Sequence, residues 1–319
     1  MKLIYNDIFL DHHTGNHPEN QKRLASFTDL KSSDIIDGTP FLGLVHNGQY
    51  IEDVKEKCAQ NIPLGSDTIC SEKSFGAAVR AVGATVMASE LNDFALVRPP
   101  GHHAFRGKAS GFCIFNNIAI AVTKLVEEGK KVMVFDFDGH FGDGTSSIFY
   151  DSDQVLFWSI HQCPAFPKTG SSCDIGEENG KGFNINVEMP PKSGDDIFIN
   201  AFNTFLPVAK EFSPDVVAVS AGFDGHKSDM LLDLNYSLDS FFEIGKLLSN
   251  NFSNIFAVLE GGYNPDILSK GIENFLNGIN GLPKKHSERL SDSDYFVHRE
   301  YENRSTDLIL KLRPFWKSL

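Results

Sequence analysis

The sequence predicts an α/β domain built on a mostly parallel β-sheet with helices on both faces. Three observations lead there. Short runs rich in Val, Ile and Phe alternate with longer helical patterns along the 319 residues, the rhythm of strand–helix units. VMVF, VVAVSA and IFAVL are apolar at nearly every position, as strands covered on both sides are. Polar clusters recur directly after these runs, at the carboxyl ends of strands where open parallel sheets bind ligands.

Taken in order, Lys2–Tyr5 is a short apolar strand, and Lys73–Glu90 is a helical stretch leading to the strand Phe94–Arg98. Asn117–Glu128 is a helix feeding the strand Val132–Asp138, with Val155–His161 and Asn184–Val187 as the next strands. Asp195–Glu211 precedes the strand Val216–Ala221, Leu238–Asn250 precedes Ile255–Glu260, and Pro265–Gly278 is a closing helix. No repeat, low-complexity tract or linker divides the chain, so residues 1–319 read as one domain. The segment 283–319 is more charged and reads as irregular chain and helix on the surface.

Composition narrows the function. Lys+Arg number 29 and Asp+Glu 42, so the formal net charge is 29 − 42 = −13. That balance argues against direct nucleic-acid binding through phosphate neutralisation, and 27 Phe argue against disorder. No run approaches the roughly 18–20 apolar residues of a membrane span. Asp7 and Asp11 break the N-terminal stretch that a signal peptide would need, so a cytoplasmic protein is expected. The five cysteines (58, 70, 113, 163 and 173) contain no C-x-x-C pair and read as free thiols rather than a disulfide framework.

Five polar clusters follow the strands: Arg98-Pro-Pro-Gly-His-His103, Asp136-Phe-Asp-Gly-His140, Ser159-Ile-His161, Ser220-Ala-Gly-Phe-Asp224-Gly-His226 and Glu260-Gly-Gly-Tyr263. In a continued strand, side chains 136, 138 and 140 share one face. Two carboxylates and an imidazole there suit a divalent metal with N and O ligands; turn and cap hydrogen bonds at an Asp-rich strand end are the plain alternative. Asp224 is a candidate further ligand. One His and two Asp neutralise a +2 ion and leave positions open for water and substrate, as a catalytic zinc requires. His102 and His103 are candidate acid–base groups, with Asp136 and Asp143 available to orient their rings; a structural His pair is the alternative. Tyr263, after two glycines, is placed to donate a hydrogen bond to a carbonyl gaining charge, or is a half-buried Tyr with a satisfied hydroxyl.

At these residues the chain resembles the histone deacetylase superfamily, which includes acetylpolyamine amidohydrolases. The resemblance runs from about Tyr5 to Asn280, through His13-Thr-Gly-Asn-His17-Pro-Glu with Arg23, RPPGHHA (98–104), GFCIFNN (111–117), DFDGHFGDGT (136–145), SIHQ (159–162), GKGFNINV (180–187), AGFDGHKSD (221–229) and LEGGYN (259–264). It implies the arginase–deacetylase fold, a single domain with a central sheet of about eight strands. It implies one Zn2+ per chain on Asp138, His140 and Asp224. His103 is then general base and acid, His102 its electrostatic partner, Asp136 and Asp143 the acids paired with the two rings, and Tyr263 the group that polarises the scissile carbonyl. Gly111, Phe112, Phe166 and Leu231 would line the substrate tunnel, and Asp67 is similar to a rim Asp that holds the substrate backbone. Asp136, Asp138, His140, Ser159 and Ile160 match a structural potassium site.

The implied activity is removal of acetyl or other acyl groups from lysine side chains or related amines. The implied partners are acylated lysine proteins or peptides, or acetylated amines. Three departures stand out. Phe141 replaces the second His usual after the metal-binding one, HQCPAFP lacks the common Tyr, and Asp229-Met-Leu-Leu replaces Asp-Pro-Leu-Gly. Leu231 stands where polyamine-selective relatives can carry Glu, which favours acyl-lysine. The alternatives are an acetylpolyamine amidohydrolase, an arginase-like ureohydrolase with two metals that would draw on Asp224 and His226, and a non-enzymatic acyl-lysine reader.

Overall fold

The computed structural model describes residues 1–319. Seven strands form one fully parallel sheet: β1 (Leu3–Ile4), β2 (Phe94–Ala95), β3 (Val132–Asp136), β4 (Val155–Gln162), β5 (Asn184–Met189), β6 (Val216–Ala221) and β7 (Ile255–Leu259), in spatial order β1-β2-β7-β6-β3-β4-β5. All seven lie within segments the sequence marks as strands or overrun them by a residue or two. The expected number of about eight becomes seven, and the expected strand Phe94–Arg98 pairs over only two residues.

Eight helices accompany the sheet: α1 (Gly48–Ala59), α2 (Ser74–Leu91), α3 (Asn117–Glu127), α4 (Asp143–Phe149), α5 (Asp195–Phe212), α6 (Leu238–Asn251), α7 (Pro265–Ile279) and α8 (Tyr295–Leu312). From β2 the chain moves through β3 to β4 in one direction across the sheet, then returns through β6 to β7. Right-handed crossovers in opposite directions place their helices on opposite faces, so α3 and α4 cover one face while α5 and α6 cover the other. α2 packs beside α3, and α7 beside α6. One contiguous cluster of 81 buried apolar residues joins the two faces through the sheet, so the chain has a single core and is a single domain. The segment after Pro283 is irregular as far as Asp294 and then forms α8. This helix buries Val297, Tyr301, Leu308 and Leu312 along one stripe and packs on β5 and α5.

The position of the site follows from this topology. Strand order reverses around β3: β4 lies on one side of it and β6 on the other, in register with Asp136 opposite both Ser159 and Ser220. Such a reversal opens a crevice at the carboxyl ends of the two diverging strands. The segments after β3 and β6 carry Asp138, His140 and Asp224.

Candidate active site

β3 ends at Asp136, so strand alternation does not carry through to His140. Two successive side-chain-to-backbone turns take over: Asp136 Oδ1 accepts the Asp138 N–H at 3.1 Å, and Asp138 Oδ1 accepts the His140 N–H at 2.9 Å. The turns separate the two aspartates. Asp136 Oδ2 lies 3.1 Å from His102 Nδ1, whereas Asp138 and His140 face the β6 loop. There His140 Nδ1 lies 2.8 Å from Asp224 Oδ2 and 3.2 Å from Asp138 Oδ1. Ligand atoms of Asp138, His140 and Asp224 all fall within 4.8 Å of one another, and all three residues are buried.

The carboxylates are held from behind by backbone. Gly139 N–H donates to Asp224 Oδ1 at 2.8 Å and Gly261 N–H donates to Asp138 Oδ2 at 2.7 Å. The surrounding chain is glycine by necessity: a Cβ at Gly222 would stand 2.1 Å from Asp138 Oδ2, and one at Gly261 would stand 2.4 Å and 2.5 Å from oxygens of Asp224 and Asp138. Two carboxylates and one imidazole, buried and pinned, suit a divalent cation with borderline N/O preference. Electrostatics agree. Burial raises the Asp224 carboxyl to about 7, and the Asp138 charge adds to the rise. Burial works against a charged His140, yet Asp224 and Asp138 outweigh it and lift the imidazole to about 10. The His140 imidazole, set between the two carboxylates, is thus drawn toward the positive charge that a cation would otherwise supply.

The histidine pair lies beside this group. His103 Nδ1 is 2.7 Å from Asp143 Oδ1 at the start of α4, and the two imidazole centres are 4.0 Å apart. Their charge states diverge. Burial disfavours a charged His102, but Asp138, Asp136 and Glu260 outweigh it and hold the ring well above the usual histidine range. Burial and the neighbouring His102 charge push His103 down to about 4, against the pull of Asp143. The two rings are therefore pushed in opposite directions, His102 toward the charged form and His103 toward the neutral one.

Both groups open on a cavity of about 280 Å³ lined by Asp67, His103, Gly111, Phe112, His140, Phe166, Leu231 and Tyr263. Phe166 meets the His103 ring edge-to-face at 5.1 Å, and Phe112 meets Tyr263 at 5.7 Å. Asp67 accepts the Gly111 N–H at 3.2 Å. Tyr263 is 7% exposed. Burial, reinforced by Asp138 and Asp224, holds its phenol well above 10, so it remains a hydrogen-bond donor.

Residues 17–279 match the histone deacetylase domain family model. The chain belongs to the histone deacetylase family. It is 32% identical to a probable deacetylase of Archaeoglobus fulgidus over 289 residues, covering 82% of this chain and 80% of that protein. It is 34% identical to a histone deacetylase-like amidohydrolase of Pseudomonas aeruginosa over 272 residues, covering 77% and 71%. The solved HDA15 HD domain superposes with a TM-score of 0.88 at 28% identity, covering 99% of this chain and 95% of that one. The arginase–deacetylase fold expected from the sequence is therefore the fold observed.

The departures from the family pattern have structural explanations. Phe141 turns away from the acid–imidazole group and packs on His161, with ring centres 4.8 Å apart. His226 Nε2 donates to Glu288 at 2.9 Å while its Nδ1 accepts the Ser228 N–H, and it takes no part in the Asp138–His140–Asp224 group, which weighs against the two-metal ureohydrolase reading. The Ser159 hydroxyl is 2.9 Å from His161 Nδ1, and the side-chain geometry lends no support to a monovalent cation at Asp136, Asp138, His140, Ser159 and Ile160. No helix is long and apolar enough to cross a membrane, and all five cysteines are free.

Sequence reasoning quotes Glu19, Arg23, Arg98, Asp229 and Glu260 within its motifs but assigns none of them the supporting role the structure gives them. Glu19 accepts from Arg98 Nε at 2.5 Å and Arg98 Nη2 at 2.8 Å, and from Arg23 at 3.1 Å, all buried. Arg23 in turn donates to the Gly262 carbonyl at 2.7 Å and the Glu260 carbonyl at 2.5 Å, and its guanidinium lies 5.1 Å from the Tyr263 ring centre. Asp229 accepts the Tyr263 N–H at 2.7 Å. The visible signal was a charged residue, Glu260, at the end of an otherwise apolar strand.

Proposed function

We propose that the chain is a zinc-dependent amidohydrolase that removes acetyl or a related acyl group from lysine side chains of proteins or peptides. The observation that carries this reading is the convergence on one cavity of three groups: the buried Asp138–His140–Asp224 set, the neutral His103 and the protonated Tyr263. Asp138, His140 and Asp224 would hold the zinc. When bound, zinc supplies Lewis-acid polarisation of the acyl carbonyl and a more acidic water.

The remaining steps belong to the protein's own side chains. His103 Nε2 takes a proton from water as the water oxygen bonds to the acyl carbon. Asp143 holds the opposite ring nitrogen and so fixes the tautomer. The Tyr263 hydroxyl donates to the carbonyl oxygen as that oxygen gains charge. The proton on His103 then passes to the leaving nitrogen as the carbon–nitrogen bond breaks, giving a carboxylic acid and a free amine, which exchange the remaining proton to become carboxylate and ammonium. A charged His102, which Asp136 on its Nδ1 favours, disfavours a proton on His103 ahead of the reaction. Phe112 and Phe166 form apolar walls that fit a lysine methylene chain and exclude bulk water.

Leu231, at the same cavity, presents no charge to a polyamine, which favours acyl-lysine over acetylpolyamines. A structural potassium ion at Asp136, Asp138, His140, Ser159 and Ile160 is part of the proposal through the family resemblance alone. The test is acetate release by zinc-loaded protein from an acetyl-lysine peptide and from N-acetylputrescine. The proposal expects hydrolysis of the peptide at the higher kcat/KM. Preference for the polyamine moves the reading to an acetylpolyamine amidohydrolase, and hydrolysis of neither rejects it.

A further inference from the structure

Glu260 is the one buried acid beside the cavity that the proposed reaction leaves without a task. It is fully buried, and its Oε2 accepts two backbone N–H groups from the loop that carries the histidine pair: Gly101 at 2.7 Å and His102 at 3.1 Å. Its Oε1 has no hydrogen-bond partner. Burying a carboxylate with half its acceptor capacity unused is costly, and two bonds into one loop are what it obtains in return.

The place of residue 260 in the chain gives those bonds their meaning. Its own N–H donates to the Ala221 carbonyl at the end of β6. The next residue, Gly261, donates to Asp138 Oδ2 at 2.7 Å, and Tyr263 follows two positions later. The backbone at 260–263 is therefore tied to the metal-candidate acid and carries the phenol. The Glu260 side chain is the tie from that same segment to the histidine loop. The loop is also held by Arg98 on Glu19, which Arg23 links to the Glu260 and Gly262 carbonyls, by the Thr145 N–H donating to the His102 carbonyl at 3.0 Å, and by Asn117 Nδ2 donating to the Pro99 carbonyl at 3.1 Å. None of these bonds joins the backbone of the histidine pair directly to the segment that carries Tyr263, as the two bonds of Glu260 Oε2 do.

We propose that Glu260 is a positioning residue, which sets the His102–His103 loop in register with Asp138 and Tyr263 through the two backbone bonds of its Oε2. Reach and acceptor geometry are the properties that place the loop; the Glu260 charge comes after Asp138 and Asp136 among those that favour a charged His102. Catalytic groups displaced by about 1 Å lose rate steeply while substrate binding is spared, so kcat is the parameter that responds. The kinetic part of the test rests on the proposed deacylase reading; the exchange part does not.

Two variants separate reach from charge. Glu260→Gln keeps the length and an acceptor oxygen but removes the charge. Glu260→Asp keeps the charge but is one methylene shorter. Hydrogen exchange of the Gly101 and His102 amides is measured in both, with kcat, KM and zinc content. The expected result is wild-type amide protection in Gln with kcat within about threefold. In Asp, protection falls at least tenfold and kcat falls at least tenfold, with KM within twofold and zinc content unchanged. Wild-type protection and kcat in Asp overturn the inference. So does a Gln variant as impaired as Asp, which would make charge the operative property, and so does loss of zinc in either. A wild-type protein that hydrolyses no acylated amine defeats the deacylase reading instead, and the amide protection still decides whether Glu260 clamps the loop.

Discussion

Replacing Gly261 with Ala adds one methyl group at the centre of the proposed metal site. The new Cβ would stand 2.4 Å from Asp224 Oδ2 and 2.5 Å from Asp138 Oδ2, well inside van der Waals contact. Gly261 does not have a positive φ, so alanine carries no backbone penalty and the clash is the whole perturbation. Clearing the methyl pulls the two carboxylates off the backbone N–H groups that pin them, so their oxygens no longer converge on one cation. The cost therefore falls on binding. Overpacking by a methyl in a close-packed site costs about 1–3 kcal/mol, which is roughly a 5- to 150-fold loss of affinity at about 1.4 kcal/mol per factor of ten. Competition of metal-free protein with a chelating zinc indicator measures it. A Gly261→Ala protein that binds zinc within twofold of wild type would refute the assignment of Asp138 and Asp224 as ligands.

Three further outcomes follow from the geometry. Tyr263→Phe lowers kcat at least tenfold, since a single donor to a developing oxyanion is worth about 2.7–4 kcal/mol, while zinc content stays at one per chain; unchanged turnover removes the phenol from the mechanism. Glu19→Gln leaves the buried Arg23 and Arg98 guanidiniums without a counter-charge, which costs about 3–5 kcal/mol and lowers Tm by about 10 °C; a Tm within a degree of wild type in a thermal melt contradicts it. His46 accepts the Asn116 N–H at 2.9 Å through Nε2, and burial holds it down at about 4, so the unfolded chain binds its proton first. The stability gained from keeping it neutral is complete above the unfolded value of about 6.5 and is lost as pH falls toward 4. His46→Gln therefore takes up about one proton fewer on unfolding at pH 5, read from the slope of stability against pH; an unchanged slope refutes the neutral assignment.

The sheet was legible because its strands are buried on both faces, which leaves near-continuous apolar runs such as VVAVSA. Helices α1 and α4 were not. α1 buries only Tyr50, Val54 and Cys58, a stripe one residue wide in a polar sequence, and α4 is seven residues long and begins inside the site motif. The proposed metal and acid–base residues were legible because each follows a strand end and carries chemistry. The reason first given for Asp136 and Asp138 was not the right one. Alternation would point both carboxylates at one ion, whereas the turns after β3 send Asp136 to His102 and Asp138 to Asp224. The supports act across distant segments, Glu19 on the Arg23 and Arg98 guanidiniums and Asp229 and Glu260 on backbone N–H groups, and no local pattern announces such a bond before the chain is folded.

The account stands on one metal-dependent centre per chain. Protein stripped of metal is titrated with zinc while amine release from an acetyl-lysine peptide is followed. The account predicts no activity at the start and a linear rise that breaks at one equivalent. Full activity in the metal-free protein, a break at two equivalents, or no amine release at any zinc level would contradict it.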